Sequence, residues 1–77
     1  MNKQIEKQIG INIRNIRESV GMTQEALSAK MQLRGCDITR SAIAKIEVGQ
    51  RHLYPDEIVF IKEILDIEFE DIFYGDK

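Results

Sequence analysis

Thr23-Gln24-Glu25-Ala26-Leu27-Ser28-Ala29-Lys30-Met31, a glycine-containing turn, and then Ile38-Thr39-Arg40-Ser41-Ala42-Ile43-Ala44-Lys45-Ile46-Glu47 form the most informative stretch of the chain. Each half alternates apolar and polar residues with the period of a helix. In the first, Ala26, Leu27 and Met31 share a face, and Leu33 extends it by a further turn before Gly35 ends the helix. In the second, Ala42, Ile43 and Ile46 form a thin apolar stripe, while Arg40, Ser41, Ala44 and Lys45 face elsewhere. Thr23 has the hydroxyl to cap the first helix, and Asp37 or Thr39 can cap the second. A short helix with a polar, partly basic outer face, propped on a partner helix, has the dimensions of the major groove of duplex DNA.

The remaining sequence supplies the frame. Upstream, Ile5, Ile9, Ile13, Ile16 and Val20 recur at steps of four, four, three and four, which draws one stripe along a first helix. Gly21 then stands where a left-handed residue commonly ends a helix, so Gly21-Met22 reads as a tight corner. Downstream, residues 48–54 read as a connecting loop. Pro55 suits the first turn of a fourth helix, Asp56 and Glu57 favour its dipole, and Ile58, Ile61, Ile64 and Leu65 form its apolar side. After a break at Asp66-Ile67, a last short helix around residues 69–73 can fold Ile72 and Phe73 onto the core. The expected fold class is all-α: a compact five-helix unit over residues 1–77, with short connections and no internal repeat.

Composition narrows the function classes. Seventy-seven residues allow one small domain with a modest core. Cys36 is the only cysteine, so no disulfide forms within the chain, and no His, Cys and carboxylate spacing suggests a metal site. One His and one Cys without a supporting motif fall short of a catalytic constellation, and there is no phosphate-cradling glycine loop, so neither an enzyme nor a cofactor is expected. No signal peptide or membrane span is read, and a lone thiol suits a reducing compartment; the expected location is cytoplasmic. The net charge of −2 is unevenly distributed: residues 1–54 carry nine Lys and Arg against five Asp and Glu, or +4, whereas residues 55–77 carry two against eight, or −6. Screening over about 8 Å at physiological salt lets a basic and an acidic face behave semi-independently.

Several segments in register resemble one family. Arg17-Glu18, Gly21-Met22-Thr23-Gln24-Glu25-Ala26-Leu27, Ile43-Ala44-Lys45-Ile46-Glu47-Val48-Gly49-Gln50-Arg51 and Glu57-Ile58-Val59-Phe60-Ile61-Lys62-Glu63-Ile64-Leu65-Asp66-Ile67 look like the Cro/C1-type helix-turn-helix family, also called the xenobiotic-response-element family. The likeness runs from about Ile9 to Phe73, with the helix-turn-helix at about 23–47. It implies a lambda-repressor-like DNA-binding domain whose partner is double-stranded DNA, read in the major groove.

The resemblance also implies roles for particular residues. Gln24 matches a phosphate-contacting glutamine at the start of helix two, where free backbone N–H groups suit an anion. Thr39, Arg40, Ser41, Ala44 and Lys45 take groove-facing positions. Arg40 has the fork to pair with guanine O6 and N7, Lys45 reaches a guanine or a phosphate, and the methyls of Thr39 and Ala44 suit thymine. Gln50 and Arg51 lie in a loop used against the DNA backbone, with Arg51 as a phosphate anchor. Arg17 and Glu47 match an internal, structural ion pair.

The chain departs from the family pattern in three places. The turn from Met31 to Ile38 is longer than the commonest form, Asp66 stands where a glycine often ends helix four, and Phe60 and Lys62 replace a polar and a small apolar residue. Phe60, Phe69, Phe73 and Tyr74 either join a dimer seam or fold into a core without Trp. The expected function is a sequence-specific transcriptional regulator, a repressor acting as a homodimer on a pseudo-palindromic operator. The alternative is an antitoxin-like or adaptor module whose acidic helix-four and helix-five surface binds a protein partner.

Overall fold

The computed structural model describes residues 2–75. Five helices follow in order: α1 (Lys3–Ser19), α2 (Gln24–Leu33), α3 (Arg40–Glu47), α4 (Pro55–Leu65) and α5 (Phe69–Tyr74). α1 packs against α3 and α5, and α2 against α3 and α4, within an envelope of 29 × 24 × 19 Å. α3 therefore sits between the two longer supports, with one side free. No helix among the described residues is long and apolar enough to cross a membrane.

The core is built from Ile13, Leu27, Met31, Cys36, Ile38, Ile43, Ile46, Ile61, Leu65 and Ile72. All five helices contribute to it, as does the turn between α2 and α3. α1 needs an exceptionally close approach to α3. A Cβ added at Gly10 would run into the carbonyl oxygen of Ile46 and lie 2.8 Å from that of Glu47. A glycine in mid-helix costs about 1 kcal/mol against alanine, and here it lets the two backbones meet.

Three helices end alike. After α2, Gly35 takes φ +84°, its N–H donates to Gln32 O, and the Cys36 N–H donates to Met31 O, both at 3.0 Å. These paired bonds satisfy the last carbonyls of the helix, while Cys36 and Met31 close the corner with an apolar contact. The same pairing recurs after α1 at Gly21 and Met22 and after α3 at Gly49 and Gln50. α4 ends on Asp66, which adopts φ 55°, ψ 55°. It fills the glycine's place at some conformational cost.

The long turn is a built part of the core. Ile38 is 2% exposed and Cys36 8%. Ser28 Oγ donates to Ile38 O at 2.8 Å, and Gln32 Nε2 donates to the same carbonyl at 3.0 Å. Thr39, rather than Asp37, caps α3, its Oγ1 accepting from Ala42 N at 3.1 Å.

Several apolar expectations are corrected. Leu33 does not extend the buried face of α2; it is 88% exposed, because the helix ends and turns beneath it. Of the apolar stripe on α1 only Ile13 is fully buried, Ile9 and Ile16 are partly covered, and Ile5 and Val20 are exposed at the two ends, Ile5 beside Phe73 and Tyr74 of α5. Phe60 packs against the core, whereas Phe69, Phe73 and Tyr74 keep substantial exposure.

Candidate nucleic-acid interface

Ile43 and Ile46 pin the inner side of α3, so its outward residues are Arg40, Ser41 and Lys45, with Ala44 half-buried between them. Thr39 is exposed at the start of the helix, with its hydroxyl oxygen committed to the cap. Guanidinium, hydroxyl, methyl and ammonium groups thus line one convex strip.

The strip is aimed by a buried network. Arg17 Nε donates to Glu47 Oε2 at 2.7 Å, and its NH2 group donates to Glu47 Oε1 at 2.9 Å. The NH1 group donates to Met22 O at 2.7 Å. Gln24 Nε2 adds a third hydrogen bond to the Glu47 carboxylate, at 2.9 Å to Oε1. One carboxylate from the last turn of α3 therefore ties together the end of α1, the α1–α2 corner and the start of α2. The hydrogen bonds it donates to Glu47 hold the Arg17 guanidinium above its ordinary pKa against the opposing effect of burial. No buried side-chain nitrogen or oxygen among the described residues lacks a partner.

Gln24 is accordingly half-buried, with one amide hydrogen engaged and its carbonyl oxygen and second N–H unclaimed. Beside it, Arg17, Thr23, Glu25 and Arg40 line a shallow cleft at the N-terminal end of α3.

At the other end, Gln50 is exposed and Arg51 is not free. Its NH1 and NH2 groups donate to the two carboxylate oxygens of Glu57 at 2.9 and 3.0 Å, and NH1 also donates to His52 O at 2.9 Å. The guanidinium lies 5.4 Å from the centroid of the Tyr54 ring. Glu57 Oε1 accepts from Tyr54 N as well, at 3.0 Å, which caps α4. The bonds to Glu57 raise the Arg51 pKa. A phosphate would meet only the remaining outward N–H groups of this side chain.

Sequence reasoning did not single out Gly10, Asn12, Ser28, Gln32 or Glu57 as organising residues. Asn12 is buried, and its Nδ2 donates to Ile72 O at 2.9 Å, fixing α5 on α1. Of the five, Glu57 had a readable signal, an acid three residues after the residue preceding the helix. The others depend on contacts made across a turn or between helices, which spacing does not show.

The arrangement has known counterparts. The helix-turn-helix family model matches residues 13–72. The chain belongs to the Cro/C1-type helix-turn-helix family. In fold, this helix-turn-helix protein is similar to the crystal structure of the DNA-binding domain of BldD, with a TM-score of 0.80 and 19% identity over 95% of this chain and 99% of that one. No curated protein matches the sequence significantly. In helix-turn-helix terms α2 is the supporting helix and α3 the recognition helix. The first turns of α1, with Lys3, Glu6 and Lys7, lie outside the matched span.

Proposed function

We propose that this helix-turn-helix protein is a sequence-specific transcription regulator, a repressor that binds a pseudo-palindromic operator in double-stranded DNA as a homodimer. The observation that carries the reading is the strip of exposed Arg40, Ser41 and Lys45, with Ala44 half-buried between them, on a helix whose opposite side is locked in place. α3 has eight residues, and at 1.5 Å per residue it is about 12 Å long. The major groove is about 12 Å wide, so a helix lying across it would bring its two ends near the two phosphate walls. Gln24 would meet one wall and Gln50, with the outward edge of Arg51, the other.

Within the groove Arg40 would pair with guanine and Lys45 with a guanine or a phosphate, with the methyls of Thr39 and Ala44 against thymine. One such module reads few bases, and pairing two recognition helices supplies the missing specificity. The test is fluorescence anisotropy on a duplex recovered by random-library selection. Arg40→Ala is expected to cost about 1–3 kcal/mol and to relax preference at one base pair. An unchanged affinity in the Arg40→Ala, Lys45→Ala double variant would remove this strip as the reading face.

A second reading, a protein-interaction module, rests on the partly exposed Phe69, Phe73 and Tyr74 among the carboxylates of Glu68 and Glu70. A stable protein complex formed by a chain that enriches no DNA in the selection would favour it.

A further inference from the structure

A cleft of about 500 Å³ opens between the first turns of α1 and the α3–α4 loop, walled by Lys3 and Glu6 on one side and by Gln50, Arg51, His52 and Tyr54 on the other. The loop rides directly on α1: a Cβ added at Gly49 would lie 3.1 Å from Lys7 Cα. Across the cleft Glu6 Oε1 sits 2.7 Å from His52 Nδ1. A carboxylate oxygen only accepts, so the shared hydrogen belongs to Nδ1, and that fixes the tautomer of the ring. In the neutral imidazole Nε2 is then a lone-pair acceptor, and it becomes a donor only when the ring gains a proton. The His52 side chain is 59% exposed, and Nε2 has no hydrogen bond among the described residues.

The surrounding charges favour an anion. On α1, Lys3 and Lys7 make no ion pair among the described residues, while Glu6 is occupied by His52. In the loop and at the start of α4, Arg51 and Glu57 neutralise each other, while the exposed carboxylate of Asp56 is not among the residues that line the cleft. Gln50 is exposed beside the ring.

We propose that this cleft is a phosphate subsite of the DNA interface, in which Lys3, Gln50 and His52 receive one backbone phosphodiester and His52 takes up a proton as the phosphate arrives. The proposal rests on the DNA-binding reading above. A neutral ring would turn its Nε2 lone pair toward the phosphate oxygen and be repelled by it. A ring protonated from solvent donates through Nε2 while Glu6 retains the Nδ1 hydrogen, so the cation lies between two anions. DNA binding is then linked to the uptake of one proton.

The test is anisotropy at constant ionic strength and at pH 6 and pH 8, on a duplex selected by this protein from a random library and on a random-sequence duplex of equal length. For a one-unit rise in an ordinary histidine pKa, affinity should improve about sixfold from pH 8 to pH 6 on both duplexes. His52→Gln should lose that ratio. Lys3→Ala should reduce the slope of log K against log salt by about 0.9 at either pH. His52 is the sole histidine, so its ring proton resonances can be titrated with and without DNA, and its pKa should rise on binding. Should His52→Gln fold poorly, Glu6→Gln serves instead: removing the partner anion should shrink the pH ratio. A ratio unchanged in both variants, or a His52 pKa that does not move on binding, overturns the subsite and leaves the DNA reading intact. A wild-type chain that binds neither duplex at either pH overturns both.

Discussion

Glu47 is 3% exposed yet accepts from Arg17 twice and from Gln24 once. Burying such a pair adds little over apolar side chains, but removing one partner strands a charge. Arg17→Ala is therefore expected to destabilise the fold by about 3–5 kcal/mol in urea melts, and an Arg17→Met, Glu47→Leu double variant by less. The guanidinium stays charged throughout the accessible pH range, so its own titration adds no pH dependence to this contribution. Cys36 behaves differently. Burial is the main cause raising its thiol pKa, so as pH climbs the unfolded chain loses its proton first. Stability from this group is complete below about pH 8.5 and is lost as pH rises through the folded-state value. Thermal melts of the wild type should lose more stability from pH 7 to 9.5 than those of Cys36→Ala, whatever the offset between the two proteins at pH 7. Equal slopes would show that the thiol has no part in the alkaline loss.

Four of the five helices were legible as elements because each carries its own period and its own stop. Gly21, Gly35 and Gly49 follow α1, α2 and α3, and Asp66 follows α4 in the same left-handed geometry. Helical spacing also placed Arg40, Ser41 and Lys45 opposite Ile43 and Ile46. Spacing cannot express contacts made between elements. Nothing in the spacing marks Gly10 as the point where α3 meets α1, and Cys36 and Ile38 read as part of a turn although Ser28 and Gln32 hold that turn closed. The clasp of Arg51 by Glu57 was equally invisible, since a loop arginine reads as a free cation until its partner is placed. These contacts can be tested at the same scale. Gly10→Ala must push two backbone carbonyls aside and should cost about 1–3 kcal/mol, an overpacking penalty without relief from a flexible side chain. Ser28→Ala removes one of two donors to the Ile38 carbonyl and should cost about 1 kcal/mol. Adding Gln32→Ala should cost more than the sum of the single changes, because only then is the carbonyl left unpaired.

For the whole molecule, charge and size decide how two copies could share one operator. The −6 of residues 55–77 lies downstream of the recognition helix in sequence, while residues 1–54 carry +4. A net acidic chain can therefore bind DNA through a locally basic face, and binding should weaken steeply with salt. Two protomers, each neutralising two or three phosphates, predict a slope of log K against log salt of about −4 to −5. A slope near zero would argue that the duplex is not the partner. Geometry sets a second condition. Recognition helices reading successive half-sites stand about 34 Å apart, whereas the described residues span 29 Å along their longest axis. Two touching copies can reach that spacing only if each α3 lies displaced outward from the surface through which they meet. The contact surface should then be a side of the molecule remote from Arg40 and Lys45, and α3 itself should take no part in it. Selected operators should show half-sites about 10 base pairs apart, centre to centre, and sedimentation should find two chains per duplex. Inserting five base pairs between the half-sites turns the second one to the opposite side of the duplex. Cooperative binding of the second chain should vanish on that duplex and return when ten are inserted only if the copies do not need to touch.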